Sequence, residues 1–187
     1  FSYPIIDTDA CVACGRCVAV CPVLHRPAAR QPLAVYAAQS KEETLRQDSS
    51  SGGVFSLLSR QIIAENGVVF GAGWDDDLCV VHKAATNEEQ LAELRGSKYV
   101  QSDINGVFGE AKAYLRSGHK VLFSGTPCQI AGLKSFLGES HDNLLCVDFI
   151  CLAVSSPKVF ALYKRELEER YGAKAVKTSF RSKKYGW

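Results

Sequence analysis

The chain contains 187 residues, of which 47% are hydrophobic and 22% charged, and its formal net charge is +2. These values are those of an ordinary soluble globular protein, and so small a charge gives no argument for binding nucleic acid or an anionic membrane surface. No stretch approaches the roughly 18 uninterrupted apolar residues that a membrane span needs, so none is predicted.

Four of the eight cysteines form one short run near the N-terminus, Cys11-Val12-Ala13-Cys14-Gly15-Arg16-Cys17-Val18-Ala19-Val20-Cys21-Pro22. This C-x2-C-x2-C-x3-C-P spacing is typical of the bacterial iron–sulfur run, and it predicts a 4Fe–4S cluster. The fourth thiolate, Cys21, serves either this cluster or a neighbouring one. Gly15 removes a side chain where the backbone passes close to the cluster, and Pro22 then turns the chain away.

Two other uses of these cysteines are disfavoured by their spacing. Cysteines this close in sequence rarely meet disulfide geometry with one another, and zinc sites usually show two separated pairs. A zinc-stabilised interaction module therefore stands only as a third hypothesis. Eight cysteines, four of them at ferredoxin spacing, indicate a reducing cytoplasm rather than a secreted disulfide scaffold.

The chain is predicted to divide near residue 40. Residues 1–40 lead into and out of the cysteine run; Pro27 and Pro32 break the part after it, and residues 39–50 have the polar composition of a connector. The chain contains no methionine, begins abruptly at Phe1 and ends as if in the middle of a domain. The expectation is a partial ferredoxin-type segment, 1–40, followed by a C-terminally incomplete domain, 41–187.

From Ser49 onward, segments with helical and strand patterns alternate. Helices are expected from Ser51 to Asn66, from the capping box Thr86-x-x-Glu89 to about Leu94, from an Asp103 cap to Ser117, after Cys128, and from the Ser156-Pro157 start to about Tyr171. Strands are expected at 68–72, 78–84, 120–123, 143–150 and 175–180; the fourth is nearly continuously apolar, as a strand buried on both faces would be. This pattern predicts an α/β (mixed α+β) fold: a small ferredoxin-like 4Fe–4S segment, then a mixed or parallel sheet covered by helices.

Three loops have a composition suited to a cofactor. The Gly125-Thr126-Pro127-Cys128 turn offers amides, a hydroxyl and a thiol at a helix N-terminus, although a simple strand–turn–helix with a buried cysteine explains it too. The Gly96–Ser102 loop suits a phosphate and an aromatic ring, or is a solvated loop. Ser51-Gly52-Gly53 is either a phosphate-binding helix start or a routine cap.

The remaining polar clusters are weaker signals. Cys128 and Cys151 lie at strand ends, where they are candidates for a second metal site, whereas Cys146 and Cys79 lie within strands and are expected in the core. Asp75 to Asp77 has the composition of a solvated turn and lacks calcium-loop spacing. The four histidines are scattered and are interpreted as structural or surface residues.

Five ordered motifs, together with the cysteine run, resemble one known family. They are Ser50-Ser51-Gly52-Gly53-Val54-Phe55-Ser56, Gly96-Ser97-Lys98-Tyr99-Val100-Gln101-Ser102, Gly125-Thr126-Pro127-Cys128-Gln129, Asp148-Phe149-Ile150-Cys151 and Ser156-Pro157-Lys158-Val159-Phe160. The chain resembles the beta subunits of coenzyme F420-reducing hydrogenases and dehydrogenases over nearly its whole length. Members are iron–sulfur flavoproteins, in which a ferredoxin-like module exchanges electrons with FAD.

The resemblance implies roles for specific residues. Those at or near the flavin are Ser51, Gly52, Gly53, Ser97, Lys98, Tyr99, Gln101, Ser102, Gly125 and Thr126, and those binding metal are Cys11, Cys14, Cys17, Cys21, Cys128 and Cys151. The chain departs from the family twice, because it has one cysteine run where two are common, and because Leu152-Ala153 follow Cys151 where His-Gly is usual. If Cys21 serves the cluster of a second run, Cys11, Cys14 and Cys17 are the three ligands that remain for their own cluster. The second departure concerns the surroundings of the second cluster or of the flavin.

The function implied by the resemblance is oxidoreduction. One or two 4Fe–4S clusters would pass single electrons to or from FAD, which would reduce or oxidise a deazaflavin (coenzyme F420) or another acceptor. A redox partner protein or subunit is expected, as is a cytoplasmic location. The alternative from another class is an electron-carrier or adaptor subunit that docks to a larger reductase and has no substrate site of its own. No catalytic acid or base is identifiable.

Overall fold

The computed structural model describes residues 4–26, 28 and 31–183. Pro27, the first predicted break after the cluster loop, and the last residues of the basic tail lie outside this part of the chain. Among the described residues, no helix is both long and apolar enough to span a bilayer. The strands are β1 (Val68–Trp74), β2 (Val80–Ala85), β3 (Val121–Gly125) and β4 (Leu144–Asp148). The helices are α1 (Arg16–Ala19), α2 (Glu43–Asp48), α3 (Val54–Ala64), α4 (Glu88–Leu94), α5 (Val107–Arg116), α6 (Pro127–Leu137) and α7 (Pro157–Tyr171).

The four strands form one mixed sheet in the order β2-β1-β3-β4. Strands β1, β3 and β4 are parallel, with Phe70 opposite Phe123 and Gly125 opposite Asp148, whereas β2 returns antiparallel to β1. The mixed α/β fold expected from the sequence is confirmed. Because three strands run the same way, their carboxyl ends meet at one edge, which we call the carboxyl edge.

Both faces of the sheet are covered by helices, because successive side chains of a strand point to opposite faces. One face packs Phe70 and Phe123 against α5 and α6, and the other packs Val69 and Leu122 against α3 and α4. These four side chains are fully buried. At roughly 25 cal/mol per Å² of apolar area removed from water, such burial is the main force that holds the helices to the sheet.

Two helix termini lie where the sequence predicts them. Asn66 takes a left-handed φ of 57° after α3, and a Cβ placed on Gly67 would lie 2.6 Å from the carbonyl oxygen of Lys120. Only glycine fits there, which confirms the predicted end of this helix. Ser156 caps α7 by accepting a hydrogen bond from the Lys158 N–H, and Pro157 occupies the first turn, also as predicted.

Two other helix starts were predicted wrongly by a few residues. The cap of α4 is Asn87, whose Oδ1 accepts the N–H of Gln90, and Thr86 instead donates its N–H to the Gln90 side chain. The start of α5 is Gly106 at φ 78°, whereas Asp103 accepts the N–H of Asn105 in the preceding turn. In both places a second polar or flexible residue downstream competes successfully for the cap position.

Three expectations about strands and connectors are corrected. Strand β4 is not buried on both faces, because it lies at the edge of the sheet, where Leu145 is 40% exposed. Residues 175–180 form no strand. The predicted connector contains α2, whose Leu45 is buried and whose flanking Glu42 accepts a hydrogen bond from Arg60 of α3.

Cys79 is also not the core residue that was expected. It is exposed and precedes β2, because Leu78 takes a left-handed φ of 58° and the Asp75 carboxylate accepts the N–H groups of Asp77 and Cys79. These hydrogen bonds extend the acidic turn by two residues. Cys146, in β4, is half-buried and packs against the core, and burial raises the pKa of its thiol.

Candidate functional site

The cysteine run forms an exposed loop that leads into the short helix α1. Cys11, Cys14 and Cys17 are exposed, and Cys21 is half-buried just after α1. The loop turns sharply at two left-handed residues, Ala13 at φ 51° and Gly15 at φ 70°. An alanine in this region is strained by about 1–2 kcal/mol.

The donors of this loop fit an iron–sulfur cluster. Besides four thiols, the loop presents the backbone N–H groups of residues 11–15, which donate no hydrogen bond within the described part of the chain. Amides of this kind hydrogen-bond the sulfurs of iron–sulfur clusters and tune their potential. Among the described residues, no three His, Cys, Asp or Glu side chains converge as a single metal ion would require. A cuboidal cluster places several atoms between its thiolates, so its ligands do not converge on one point.

At the carboxyl edge, β3 leads directly into α6 through the predicted turn. Thr126 is the N-cap of α6 in a capping box with Gln129, Pro127 follows, and the Thr126 Oγ1 lies 3.1 Å from the exposed Cys128 Sγ. Cys151 follows the neighbouring strand β4 and is half-buried. Cys128 and Cys151 thus both follow adjacent parallel strands at this edge, as predicted from their positions in the sequence.

Gln129 joins two of the three predicted loops. Its Oε1 accepts the N–H of Thr126 at 2.9 Å, and its Nε2 donates to the Ser102 Oγ at 2.8 Å. A Cβ on Gly125 would lie 3.1 Å from the same Oε1, so glycine leaves room for the bridge. The sequence pattern assigned Gln129 no role, although its position three residues after Thr126 is a capping-box signal.

His82 is a second residue to which the sequence pattern assigned no specific role. It lies in β2 opposite Ala72, stacks on Phe123, and its Nε2 lies 3.0 Å from the carbonyl oxygen of Ser124. Only the protonated Nε2 can donate to that carbonyl, and Nδ1 is buried without a partner among the described residues. Burial lowers the pKa of His82, and the hydrogen bond to Ser124 partly opposes that shift. A neutral imidazole therefore fixes the end of β3 beside the Gly125–Cys128 turn.

The loop of residues 96–102 is held at both ends. Ser97 donates its N–H to the Ser50 Oγ at 2.7 Å, which joins this loop to the predicted Ser51–Gly53 helix start. Further along, the Gln101 N–H donates to the Ser155 carbonyl, and the Ser155 N–H donates to the Tyr99 carbonyl. The loop is thus a strand-like connection rather than a freely solvated one.

Lys98 acts as a helix cap in this structure. Its Nζ donates to the carbonyls of Glu93, Leu94 and Arg95 at 3.3, 3.0 and 2.8 Å, at the C-terminal end of α4. A lysine ammonium has three N–H donors, so all of them are used here. Burial, with a smaller contribution from Lys83, lowers the pKa of Lys98 to about 8. Binding a phosphate, as the composition of the loop suggested, would require the side chain to leave these carbonyls.

The Ser51-Gly52-Gly53 turn is closely packed. Gly53 caps α3 at φ 81°, and a Cβ on Gly52 would lie 2.9 Å from the Ala38 carbonyl oxygen. The Ser51 carbonyl accepts a hydrogen bond from Lys183 at 2.9 Å. The glycines therefore serve first to admit neighbouring backbone, and any cofactor would contact the outer side of this turn.

Four aromatic side chains meet at the end of β1. Phe180 contacts Trp74, Tyr99 and Phe160, with ring centroids 6.1, 5.6 and 5.7 Å away, and Trp74 and Phe160 contact each other at 5.5 Å. A cavity of about 420 Å³ adjoins Trp74 and is also lined by Lys83, Glu93 and residues 176–178. A second cavity, of about 280 Å³, lies at the opposite edge of the sheet. Neither is lined by the residues predicted to hold the flavin.

Family models match three parts of the chain. Residues 4–24 match a 4Fe-4S binding domain, and residues 35–108 and 118–186 match the N-terminal and the C-terminal part, respectively, of the beta subunit of coenzyme F420 hydrogenase/dehydrogenase. No curated protein sequence matches. Among solved structures, the chain resembles part of the F420-reducing NiFe hydrogenase complex from Methanosarcina barkeri, with a TM-score of 0.53 and 18% identity over 74% of this chain. This chain spans 49% of the length of that one, and the likeness shows a shared fold.

Proposed function

Because this chain belongs to the coenzyme F420 hydrogenase/dehydrogenase beta-subunit family, we propose that it passes electrons between a 4Fe–4S cluster and a bound FAD. The acceptor or donor beyond the flavin would be a deazaflavin or another small molecule. The proposed cluster ligands are Cys11, Cys14, Cys17 and Cys21. A second cluster, with Cys128 and Cys151 among its ligands, is a further part of the proposal.

The observation that carries this proposal is the cysteine loop itself. Four thiols at ferredoxin spacing lie in the segment that matches a 4Fe–4S binding domain, and the same chain continues into both parts of the beta-subunit family. The left-handed turn at Gly15 and the unused amides around it are suited to a cluster rather than to a compact zinc site. The chain's own contribution is to fix the thiolates and direct amides toward the sulfurs.

Support for FAD comes from the carboxyl edge. The pair Ser50–Ser97 and the bridge Ser102–Gln129–Thr126 join the three predicted loops through polar side chains. Their hydroxyl and amide chemistry fits the phosphates and ring edge of a flavin nucleotide, and α6 begins there with the positive end of its dipole. When bound, the flavin would convert single-electron transfers into two-electron chemistry. The protein would orient its ring and exclude water.

The proposed function also includes a redox partner and a cellular location. The solved relative is part of a hydrogenase complex, and we propose that this chain also works with a redox partner protein or subunit. A cytoplasmic location is proposed from the eight thiols, all of which are free in this structure.

An electron-carrier or adaptor subunit is the second candidate. It is favoured by the exposed apolar side chains that follow β4 and line α7, including Ile150 at 95% and Leu152 at 97% exposure. Large exposed apolar surfaces are typical of sites that contact another protein. This candidate needs the cluster and a docking face but no flavin.

One set of measurements separates these functions. The protein is purified anaerobically, its visible spectrum is recorded before and after dithionite, and iron, sulfide, zinc and flavin are assayed on the same sample. Absorbance near about 400 nm that bleaches on reduction, with stoichiometric FAD, supports the flavoprotein. Iron and sulfide without flavin, even after FAD is added, support the carrier. A colourless protein that contains zinc contradicts both.

A further inference from the structure

The aromatic residues at the end of β1 have an arrangement that the proposed function does not explain. Three of them, Trp74 in β1, Tyr99 in the 96–102 loop and Phe160 in α7, belong to separate parts of the chain; we call them the aromatic box. The fourth, Phe180, lies inside the box and contacts all three, stacking on Trp74 at an interplanar angle of 22° and meeting Tyr99 edge-on at 85°.

Phe180 differs from the residues of the box in how it is held. It lies in the segment 173–183, which contains no helix or strand and which is anchored three residues further on by Lys183, whose Nζ donates to the carbonyls of Arg46 and Ser51. The walls, in contrast, lie on a strand, on a helix and on a loop fixed by the hydrogen bonds to Ser155. Removing Phe180 from the box would therefore leave its walls in place.

The same segment also closes the neighbouring cavity. Residues 176–178 form one wall of the cavity of about 420 Å³, and Trp74 forms another. Displacement of residues 176–180 would open this cavity toward the box, and the cavity alone already has a volume within the range of small-molecule sites, roughly 300–1,000 Å³. Lys83 and Glu93, paired at 2.8 Å, supply polar groups at its rim.

We propose that the aromatic box is the binding site of a planar tricyclic ring of the flavin or deazaflavin type, and that Phe180 occupies it in the closed state as an internal substitute for the ring. This inference rests on the proposed function for the identity of the ring. Aromatic rings favour offset-stacked and edge-to-face contacts, and Phe180 makes one of each with Trp74 and Tyr99. A ligand ring would make the same contacts after residues 176–180 are displaced.

The test compares the unaltered protein with three alanine variants and with Phe180→Leu. Riboflavin is used as the probe, because it carries the ring without phosphates and so reports on the box separately from the polar loops. Its binding is measured by quenching of its fluorescence in protein freed of bound flavin. The variants are Phe180→Ala, which empties the box, Phe160→Ala, which removes a wall, and Phe136→Ala, a matched control. Phe136 is 46% exposed on α6 and none of its described ring contacts is with the box.

Phe180→Ala and Phe160→Ala should change the affinity for riboflavin in opposite directions. If Phe180 occupies the box about nine-tenths of the time, its removal tightens riboflavin binding about tenfold, because the apparent dissociation constant is the intrinsic one divided by the open fraction. Phe160→Ala weakens binding about tenfold or more, and Phe136→Ala leaves it unchanged. Phe180→Leu keeps an apolar side chain that cannot stack, so its affinity for riboflavin should lie between those of the unaltered protein and Phe180→Ala. Because leucine still fills part of the space, this variant also shows whether a folding defect explains the result for Phe180→Ala. A parallel titration with 5-deazariboflavin shows which ring the box prefers, and the proposal is supported when either ring gives this pattern across the variants.

A purely structural aromatic cluster gives a different result. In that case Phe180→Ala weakens riboflavin binding or leaves it unchanged, and this outcome overturns the proposal. Stoichiometric FAD in the unaltered protein together with that outcome would leave the proposed function standing, with the ring bound elsewhere. Absence of both FAD and riboflavin binding in every variant would contradict the box and the flavoprotein function together.

Discussion

The side chain of Gln129 is expected to be the most important single polar contact at the carboxyl edge. It satisfies the Thr126 N–H at the start of α6 and donates to Ser102, which is 27 positions earlier in the chain. At about 1 kcal/mol for each net hydrogen bond, Gln129→Ala should lower the free energy of unfolding by about 2 kcal/mol. For a chain of this length, such a loss corresponds to a fall in Tm of roughly 4–8 °C.

A double-mutant cycle isolates the bridge between the two loops. Ser102→Ala removes one of the two hydrogen bonds and should cost about 1 kcal/mol, and the double variant should cost less than the sum of the single ones by about 1 kcal/mol. Urea unfolding followed by circular dichroism measures all three values. Gln47→Ala is the matched control, because among the described residues that side chain bonds only Glu43, on the exposed side of α2, and its loss should cost less than about 0.5 kcal/mol. Additive costs in the cycle, or a Gln129→Ala variant as stable as the control, would refute the bridge.

Three further predictions test other parts of the structure. Burial lowers the pKa of His82 below its unfolded value of about 6.5, so the unfolded chain binds the proton first and the free energy of unfolding falls as the pH drops below that value. In the unaltered protein the urea midpoint should therefore decline between about pH 7 and 5, and His82→Phe should make this decline shallower. An unchanged slope in the variant would contradict this prediction. Cys17→Ser should abolish bound iron and sulfide, whereas Cys79→Ser, which changes an exposed thiol outside the run, should retain both. Equal iron and sulfide contents in the two variants would reject Cys17 as a cluster ligand. Gly67→Ala should lower the free energy of unfolding by more than about 1 kcal/mol, because its Cβ would clash with backbone. Gly109→Ala in α5 should raise it by roughly 0.5–1 kcal/mol, because among the described residues a Cβ there has no atom within 4 Å. Thermal unfolding that gives the opposite order of stability would contradict both expectations.

The order and type of the elements were largely predictable because each has a local signal. The strand–turn–helix at Gly125 to Cys128 and the Ser156-Pro157 helix start are examples, since the residues that form the turn or cap are adjacent in sequence. The mixed sheet followed from alternating helices and strands. Apolar composition did not reveal that β4 lies at an edge, because a run of apolar residues looks the same whether one or two sides are covered.

The contacts that complete the candidate site could not be predicted in the same way. Gln129 and Ser102, or Phe180 and Tyr99, meet only because the sheet places distant segments at one edge. The error at Cys79 had a local cause that is difficult to see in advance. The Asp75 carboxylate captures two amides and delays the start of β2, an interaction that competes with the strand pattern.

The two halves of the carboxyl edge are linked through one short segment. Residues 97–103 contribute Tyr99 to the aromatic box and Ser102 to the polar bridge, so the two sites lie three residues apart along an extended backbone. Pairing with Ser155 on one side and with β2 at Asp103 on the other fixes this backbone at both ends. A flavin nucleotide has the same division, with a planar apolar ring at one end and charged phosphates at the other. Under the two proposals made above, this one segment would contribute to binding at both ends of such a ligand, so we expect changes at Ser155 to affect ring and phosphate binding together.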